Sequence, residues 1–583
     1  MDNKYVWAVE DIYSSAEEWQ KEFDEVKAEL DFSEFKGKLG RAENFSACMK
    51  KQEVLGRKLD KLGIYAMMRH DEDTRVSEYD ALLSKVTGLS ALFGEKTAFI
   101  LPELTALPES VLKGYIKDPA LSDYDYSLTR VLADKSHVLS EGEERLLSMS
   151  GESLSSFRDI FTKIDNADLP LKPVTHNGKK IPLSHGAYGV IMRSPDRELR
   201  KKTFKKYYGA YISLIDVIAA TYAGSVKKDV FYAKAKKYSS ALDMALSGED
   251  VDKSVYKNLI SSVKSGLPYL HRYMEVKKRE LGLSSMHMYD VYVPSVAEAE
   301  LELEYDKAYD LVKEGLSVLG DEYAGLLEKA RSERWISVYE TAGKRSGAYS
   351  AGVYDTHPYV LLNYQKSTHD VFTIAHEMGH SIHTYFSNRS QPYAKADYKI
   401  FVAEVASTVN EVLLLKHLLS SSKDVKLRKY LLSYYMEMIR TTLFRQTQFA
   451  EFEEYSHKSA EKGVPLTKDD MCRAYRRLNK KYYGKAVVSD REISYEWARI
   501  PHFYRAFYVY KYATGIISAI AIAERILTKG EPAVKDFFGF LSSGSSAGPV
   551  DLLKIAGVDL TEKKPFDAAM ESFNAALEEY EKL

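Results

Sequence analysis

Cysteine is almost missing: 583 residues carry two, Cys48 and Cys472. That excludes a disulfide framework and fits a reducing compartment such as the cytosol. Proline (16) and glycine (32) are sparse for this length, in keeping with long helices, and no repeat or low-complexity tract is visible. Neither sign of charge prevails. The 82 basic and 84 acidic residues leave a net charge of -2, so no global field selects nucleic acid or an anionic membrane. Long hydrophobic runs are also absent. The most apolar stretch, around Gly515 to Ala523 in YATGIISAIAIAERI, is too short to span a bilayer and reads as a core helix. The N-terminus, MDNKYVWAVEDIY, lacks the basic-then-apolar layout of a secretory signal. The expectation is a soluble, cytoplasmic protein with no nucleic-acid or membrane partner.

What is present is apolar periodicity. At 45% hydrophobic content the chain can bury a large core, and its length suggests two to four structural units. AEEWQKEFDEVKAEL repeats apolar residues at three- and four-residue steps, as helices do. LSEGEERLLSMS opens with Ser140 three positions before Glu143, a capping-box signature. The fold class is mainly α. Two short regions read as extended. LKPVTHNGKKIPL carries Asn177-Gly178 between alternating arms, a hairpin signal. GAYSAGVYDTHPYVLLNY is rich in Gly, Tyr and Val, and its end, Tyr359 to Tyr364, reads as a strand. A break near 185–195 divides an N-terminal helical region, 1–190, from the remainder, 191–583. The basic, aromatic run RKKTFKKYYGAY (200–211) reads as the solvated face of an amphipathic helix, with local binding of nucleic acid or a peptide terminus as its rival.

One stretch resists this bland reading. VFTIAHEMGHSIHTYF places two histidines and a glutamate, HEMGH at 376–380, inside an apolar and aromatic segment. Polar groups are buried only when something satisfies them. On a helix spanning about 371–386, His376 and His380 lie four residues apart on one face, so both imidazoles can reach one ion. Glu377 falls beside them, where it can hold water without ligating the metal. A catalytic zinc keeps three protein ligands and leaves one position open. Of the 14 histidines, five (His357, His369, His376, His380 and His383) fall within 27 residues, where even scatter would put fewer than one.

The third ligand discriminates among zinc hydrolases. An HExxHxxGxxH motif would need Gly at 383 and His at 386, but the chain has His383 and Phe386. The first glutamate after the motif is Glu404, in KIFVAEVASTVNEVLLLKHLL, after an interval of twenty-three residues. His383 is its rival, although three histidines on one helix would strain to surround an ion. Glu411 shares the face of Glu404 and suits a carboxylate that orients a ligand imidazole; an ordinary helix–helix hydrogen bond is the alternative. Acyl transfer also needs donors aimed at the developing oxyanion. IPHFYRAFYVYKYATG supplies His502, Tyr504, Tyr508, Tyr510 and Tyr512, and Tyr508 and Tyr512 stand one helical turn apart. With 43 tyrosines in the chain, packing is the competing role for any one of them.

HEMGH, FVAEVASTVNE, GKRSGAYS (343–350) and IPHFYRAFYVYKYATG together resemble the oligoendopeptidase F branch of the thimet-oligopeptidase-like zinc peptidases. WAVEDIYSSAEEW, ADKSHVLSEGEERLLS and GPVDLLKIAGVDL extend the resemblance over nearly the whole chain. It implies a two-lobed helical protein with a deep central channel and a small β-sheet beside the active-site helix. It implies one Zn2+ per chain held by His376, His380 and Glu404, with Glu377 as general base and His502 stabilising the intermediate. Tyr512 is the first choice for the oxyanion tyrosine and Tyr508 the second. The strand Tyr359 to Tyr364, with Leu361 and Asn363, corresponds to the one that pairs with substrate backbone. The loop Gly343 to Gly352, with Gly347 and Tyr349, corresponds to one that closes over bound peptide.

The expected activity is zinc-dependent endopeptidase cleavage of short oligopeptides. A carboxypeptidase or dipeptidyl carboxypeptidase on a related scaffold is the nearest alternative, and no single Arg or Lys announces a grip on a C-terminal carboxylate. A non-catalytic peptide-binding protein is the rival from another class; a purely structural zinc would leave Glu377 without a purpose. The oligomeric state is left open by the sequence.

Overall fold

The computed structural model describes residues 3–296 and 301–583, which are mostly helix. The described residues fall into two compact units. Of the described residues, the first gathers 3–138, 301–418 and 522–558; the second gathers 139–296, 419–521 and 559–583.

The first unit has a helical wall and a small sheet. Its longest helix, Ala42–Glu72, buries Leu55, Leu59, Leu62 and Tyr65 on one face. Trp19, from helix Ala16–Glu29, packs there and donates its indole N–H to the Leu62 carbonyl at 3.0 Å. The sheet has three strands in the order Ile336–Ser337, Tyr359–Leu361, Tyr349–Ala351. The first pair is parallel and the second antiparallel, with Tyr349 opposite Leu361 and Ala351 opposite Tyr359. The strand expected over Tyr359 to Tyr364 is therefore present only over Tyr359–Leu361, and both of its edges are occupied. Tyr359 and Leu361 are fully buried and belong to the core formed with helix Ala42–Glu72.

The second unit carries the predicted hairpin, Val174–His176 with Lys179–Ile181, turning at Asn177 and Gly178, both in the left-handed region. The capping box at Ser140 and Glu143 starts helix Glu141–Lys163 with both reciprocal bonds in place. In helix Arg197–Ser213 the aromatics Phe204, Tyr207, Tyr208 and Tyr211 are buried while Lys202, Lys205 and Lys206 point outward. The basic run is thus a solvated face over an aromatic one, and Arg200 is drawn inward by buried Asp290 at 2.7 Å. Among the described residues no single helix is long and apolar enough to cross a membrane.

Candidate active site

The HEMGH segment lies on helix Thr368–Ser390, opened by a capping box in which Ser367 Oγ accepts the Asp370 N–H at 3.2 Å and Asp370 returns a bond to the Ser367 N–H at 3.0 Å. Such a cap is worth about 1 kcal/mol. The helix begins three residues earlier than the apolar pattern suggested.

Glu404 comes from the next long helix, Ile400–Ser421. Gly379 sets the distance between the two. A Cβ built there would lie 2.5 Å from Ser407 Cα and 2.9 Å from the Ala406 carbonyl oxygen. Glycine costs a helix about 1 kcal/mol relative to alanine, and here its missing side chain lets the helices touch backbone to backbone. Asn410 then staples them, donating to the Ala375 carbonyl at 2.9 Å while its own oxygen accepts the Tyr323 hydroxyl at 2.9 Å.

The result is a triad. Ligand-type atoms of His376, His380 and Glu404 all lie within 4.8 Å of one another. Glu404 Oε2 is 3.4 Å from His376 Nε2 and 3.5 Å from His380 Nε2. Glu411 Oε1 meets His376 Nδ1 at 2.6 Å, which turns the other ring nitrogen toward Glu404. Two imidazole nitrogens and one carboxylate oxygen converging on one point are a donor set that suits zinc. Burial works against a charged His376, but its hydrogen bonds to Glu404 and Glu411 outweigh that and hold its pKa up at about 10. Hydrogen bonds from the two histidines hold the Glu404 carboxyl far below its usual range. Glu377 beside them is buried, and burial raises its carboxyl above the ordinary value. His383 is outside the triad: its ring stacks on Tyr398 at 3.7 Å and packs against Phe540.

The open strand edge belongs to Tyr349–Ala351, not to Tyr359–Leu361 as expected. Ser350 Oγ lies 2.8 Å from Ser381 Oγ, which fixes that strand against the HEMGH helix. A cavity of about 450 Å³ is lined by Ser350, Ala351, Thr384, Tyr398, His380 and Glu404. It shares Gly352, Val353, Thr384 and Tyr398 with a neighbouring cavity of about 700 Å³ that carries Glu53, Asp60 and Asp397 and, among the described residues, no Arg or Lys. Asn363 is engaged otherwise: its amide donates to the Arg345 and Gly347 carbonyls at 2.9 and 2.8 Å. The glycine-rich loop is tied down as well. Asp71, fully buried, accepts the Tyr349 hydroxyl at 2.7 Å and Arg345 at 3.1 Å, and Thr74 N–H bonds the Gly343 carbonyl at 2.8 Å.

The His502 segment lies in the second unit and forms a cluster of its own. Tyr512 OH is 3.3 Å from His502 Nε2, and the His502 and Tyr508 rings stand near-parallel at 6.0 Å. Arg505 sits 4.3 Å from the Tyr508 ring centre and Lys511 5.3 Å from it. Burial, then the Arg505 charge, lowers the His502 pKa, so the ring is neutral at neutral pH. His502, Tyr508 and Tyr512 are each half-buried, whereas Tyr504 and Tyr510 are buried, Tyr504 stacking on Phe161 at 4.4 Å.

Comparison with known proteins is decisive for the family. The model of Peptidase family M3 matches residues 190–572, and that of Oligopeptidase F matches 103–170. The chain belongs to peptidase family M3. This M3 peptidase is 42% identical to Oligopeptidase PepF of Bacillus subtilis over 581 residues, covering 99% of this chain and 87% of that one. It is 39% identical to the plasmid-encoded Oligoendopeptidase F of Lactococcus lactis subsp. cremoris, covering 100% and 97%. The solved oligoendopeptidase-F of Enterococcus faecium matches with TM-score 0.74 at 34% identity over 97% of this chain and 98% of that one. A solved chain from Chlamydophila abortus matches with TM-score 0.95 at 36% identity over 100% and 98%. The M3 peptidase is a metalloendopeptidase, and the family resemblance drawn from HEMGH and its companions stands. Sequence reasoning missed Gly379, Asn410 and Asp71; of these only Gly379, a glycine inside a helical pattern, left a local signal.

Proposed function

We propose that this peptidase hydrolyses internal bonds of short oligopeptides with one zinc ion held by His376, His380 and Glu404. The observation that carries the reading is the triad beside an open strand edge, with a buried glutamate adjacent. When bound, zinc supplies a Lewis acid that acidifies water and polarises the scissile carbonyl. Glu377 takes the proton of the attacking water on its carboxylate and returns it to the leaving amine; a carboxyl raised by burial suits that exchange. Glu411 keeps His376 oriented through Nδ1. His502 and Tyr512, with Tyr508 as the alternative phenol, donate to the carbonyl oxygen as it becomes anionic.

Substrate is held by strand addition along Tyr349–Ala351, main chain to main chain. That mode needs an extended segment, which a folded domain supplies only at its unfolding cost. The neighbouring cavity is lined by Glu53, Asp60 and Asp397 and, among the described residues, by no Arg or Lys, and carboxylates there would repel a C-terminal carboxylate, which supports endopeptidase over carboxypeptidase chemistry. Two unpaired cysteines, one of them buried, fit a cytoplasmic setting.

The test is hydrolysis of an internally quenched peptide blocked at both ends, before and after chelation and zinc readdition. Chelator-sensitive internal cleavage restored by zinc is expected. Release of residues only from a free C-terminus would replace this reading with an exopeptidase.

A further inference from the structure

The turn between His502 and Tyr508 is held by a side chain that the chemistry so far does not use. Glu453, on helix Arg445–Glu461, is 0% exposed. Its Oε1 accepts the main-chain N–H of Phe507 at 3.0 Å, and its Oε2 has no hydrogen-bond partner among the described residues. Burial, reinforced by Asp229, pushes this carboxyl well above the usual range. A lone buried carboxyl is unfavourable, and an apolar residue would fill the space without that penalty. Its hydrogen bond is what distinguishes it.

The group it holds is unusual too. Phe507 has φ +54°, in the left-handed region, where a bulky side chain is an outlier. Its ring is buried, 4.5 Å from the His457 ring and 6.1 Å from Tyr256. Ring packing fixes the side chain; Glu453 fixes the amide. Deprived of its acceptor, the Phe507 N–H would be buried and unpaired, and the turn would relax toward negative φ. That relaxation moves Tyr508, the next residue, and the start of helix Tyr510–Lys529 that carries Tyr512.

We propose that Glu453 is a positioning residue, whose hydrogen bond to the Phe507 amide holds the left-handed turn that sets His502, Tyr508 and Tyr512 against one another. The effect on turnover rests on the role proposed above for those three side chains; the effect on the turn does not.

The experiment compares Glu453→Leu, Glu453→Asp and Glu453→Gln by steady-state kinetics on the blocked peptide and by hydrogen–deuterium exchange of segment 503–510. Tyr512→Phe is the control. Gln keeps an acceptor oxygen at the same reach, so kcat within twofold of wild type and unchanged exchange are expected. Leu removes the acceptor and Asp falls a methylene short. Both should lose about tenfold or more in kcat with KM within twofold, and exchange in 503–510 should quicken at least tenfold while 371–386 stays protected. If Leu does not fold, the Asp–Gln pair decides. Unchanged exchange in Leu or Asp overturns the proposal, as does a Gln variant impaired as severely as Leu. Should Tyr512→Phe leave kcat intact, the oxyanion assignment fails, and the exchange result still judges Glu453.

Discussion

The two histidine clusters are built on opposite electrostatics. Around His376 and His380 stand Glu404, Glu411 and Glu377, and carboxylate hydrogen bonds outweigh burial to raise the His376 pKa. Around His502 stand Arg505 and two phenols, and burial and a cation lower its pKa. The first surrounding gathers positive charge, as a metal site must. The second lowers the pKa of an imidazole that stands beside two phenol donors, which suits an oxygen that turns negative. One residue type titrates in opposite directions because its neighbours differ.

The sharpest way to break this contrast is Glu377→Gln. Zinc content should be unchanged while kcat falls by roughly a thousandfold; near-normal turnover in single-substrate assays would remove the general base from its role. Tyr512→Phe comes next, with kcat down about a hundredfold and KM within twofold; a KM effect alone would make the phenol a binding group. Gly379→Ala should separate the helices and weaken zinc binding roughly 10- to 100-fold, measured by competition with a chromogenic chelator. Unaltered affinity would mean that the close crossing does not set the ligand distance. Arg505→Gln is the mildest. Removing the cation raises the His502 pKa, so the acid limb of the kcat profile should move to higher pH by less than about one unit. A limb that stays put would assign it to another group.

The pairing of His376 with His380 was legible because helical spacing puts residues four apart on one face, and the structure brings Glu404 from the next helix to within reach of both. The capping box at Ser140 and the hairpin at Asn177-Gly178 were legible for the same reason: each is decided within a few residues. The strand at Tyr359 was found, but its neighbours were not, since pairing with Ile336–Ser337 joins residues some twenty-four positions apart. Substrate pairing was therefore assigned to an inner strand, and the open edge at Tyr349–Ala351 emerged only from the sheet order. The tyrosines of 504–512 look alike in sequence; burial of Tyr504 and Tyr510 in the packed unit is what sorts them. Segment grouping was equally hidden, because each compact unit draws on three stretches of chain.

A strand edge grips amide and carbonyl groups that every residue carries, except that proline brings no N–H. If the grip at Tyr349–Ala351 supplies much of the affinity, the peptidase meets its substrates as polymer rather than as message. Its appetite would then be broad in side chain and selective in backbone, and resistance would come most simply from a proline or an N-methyl group at a paired position.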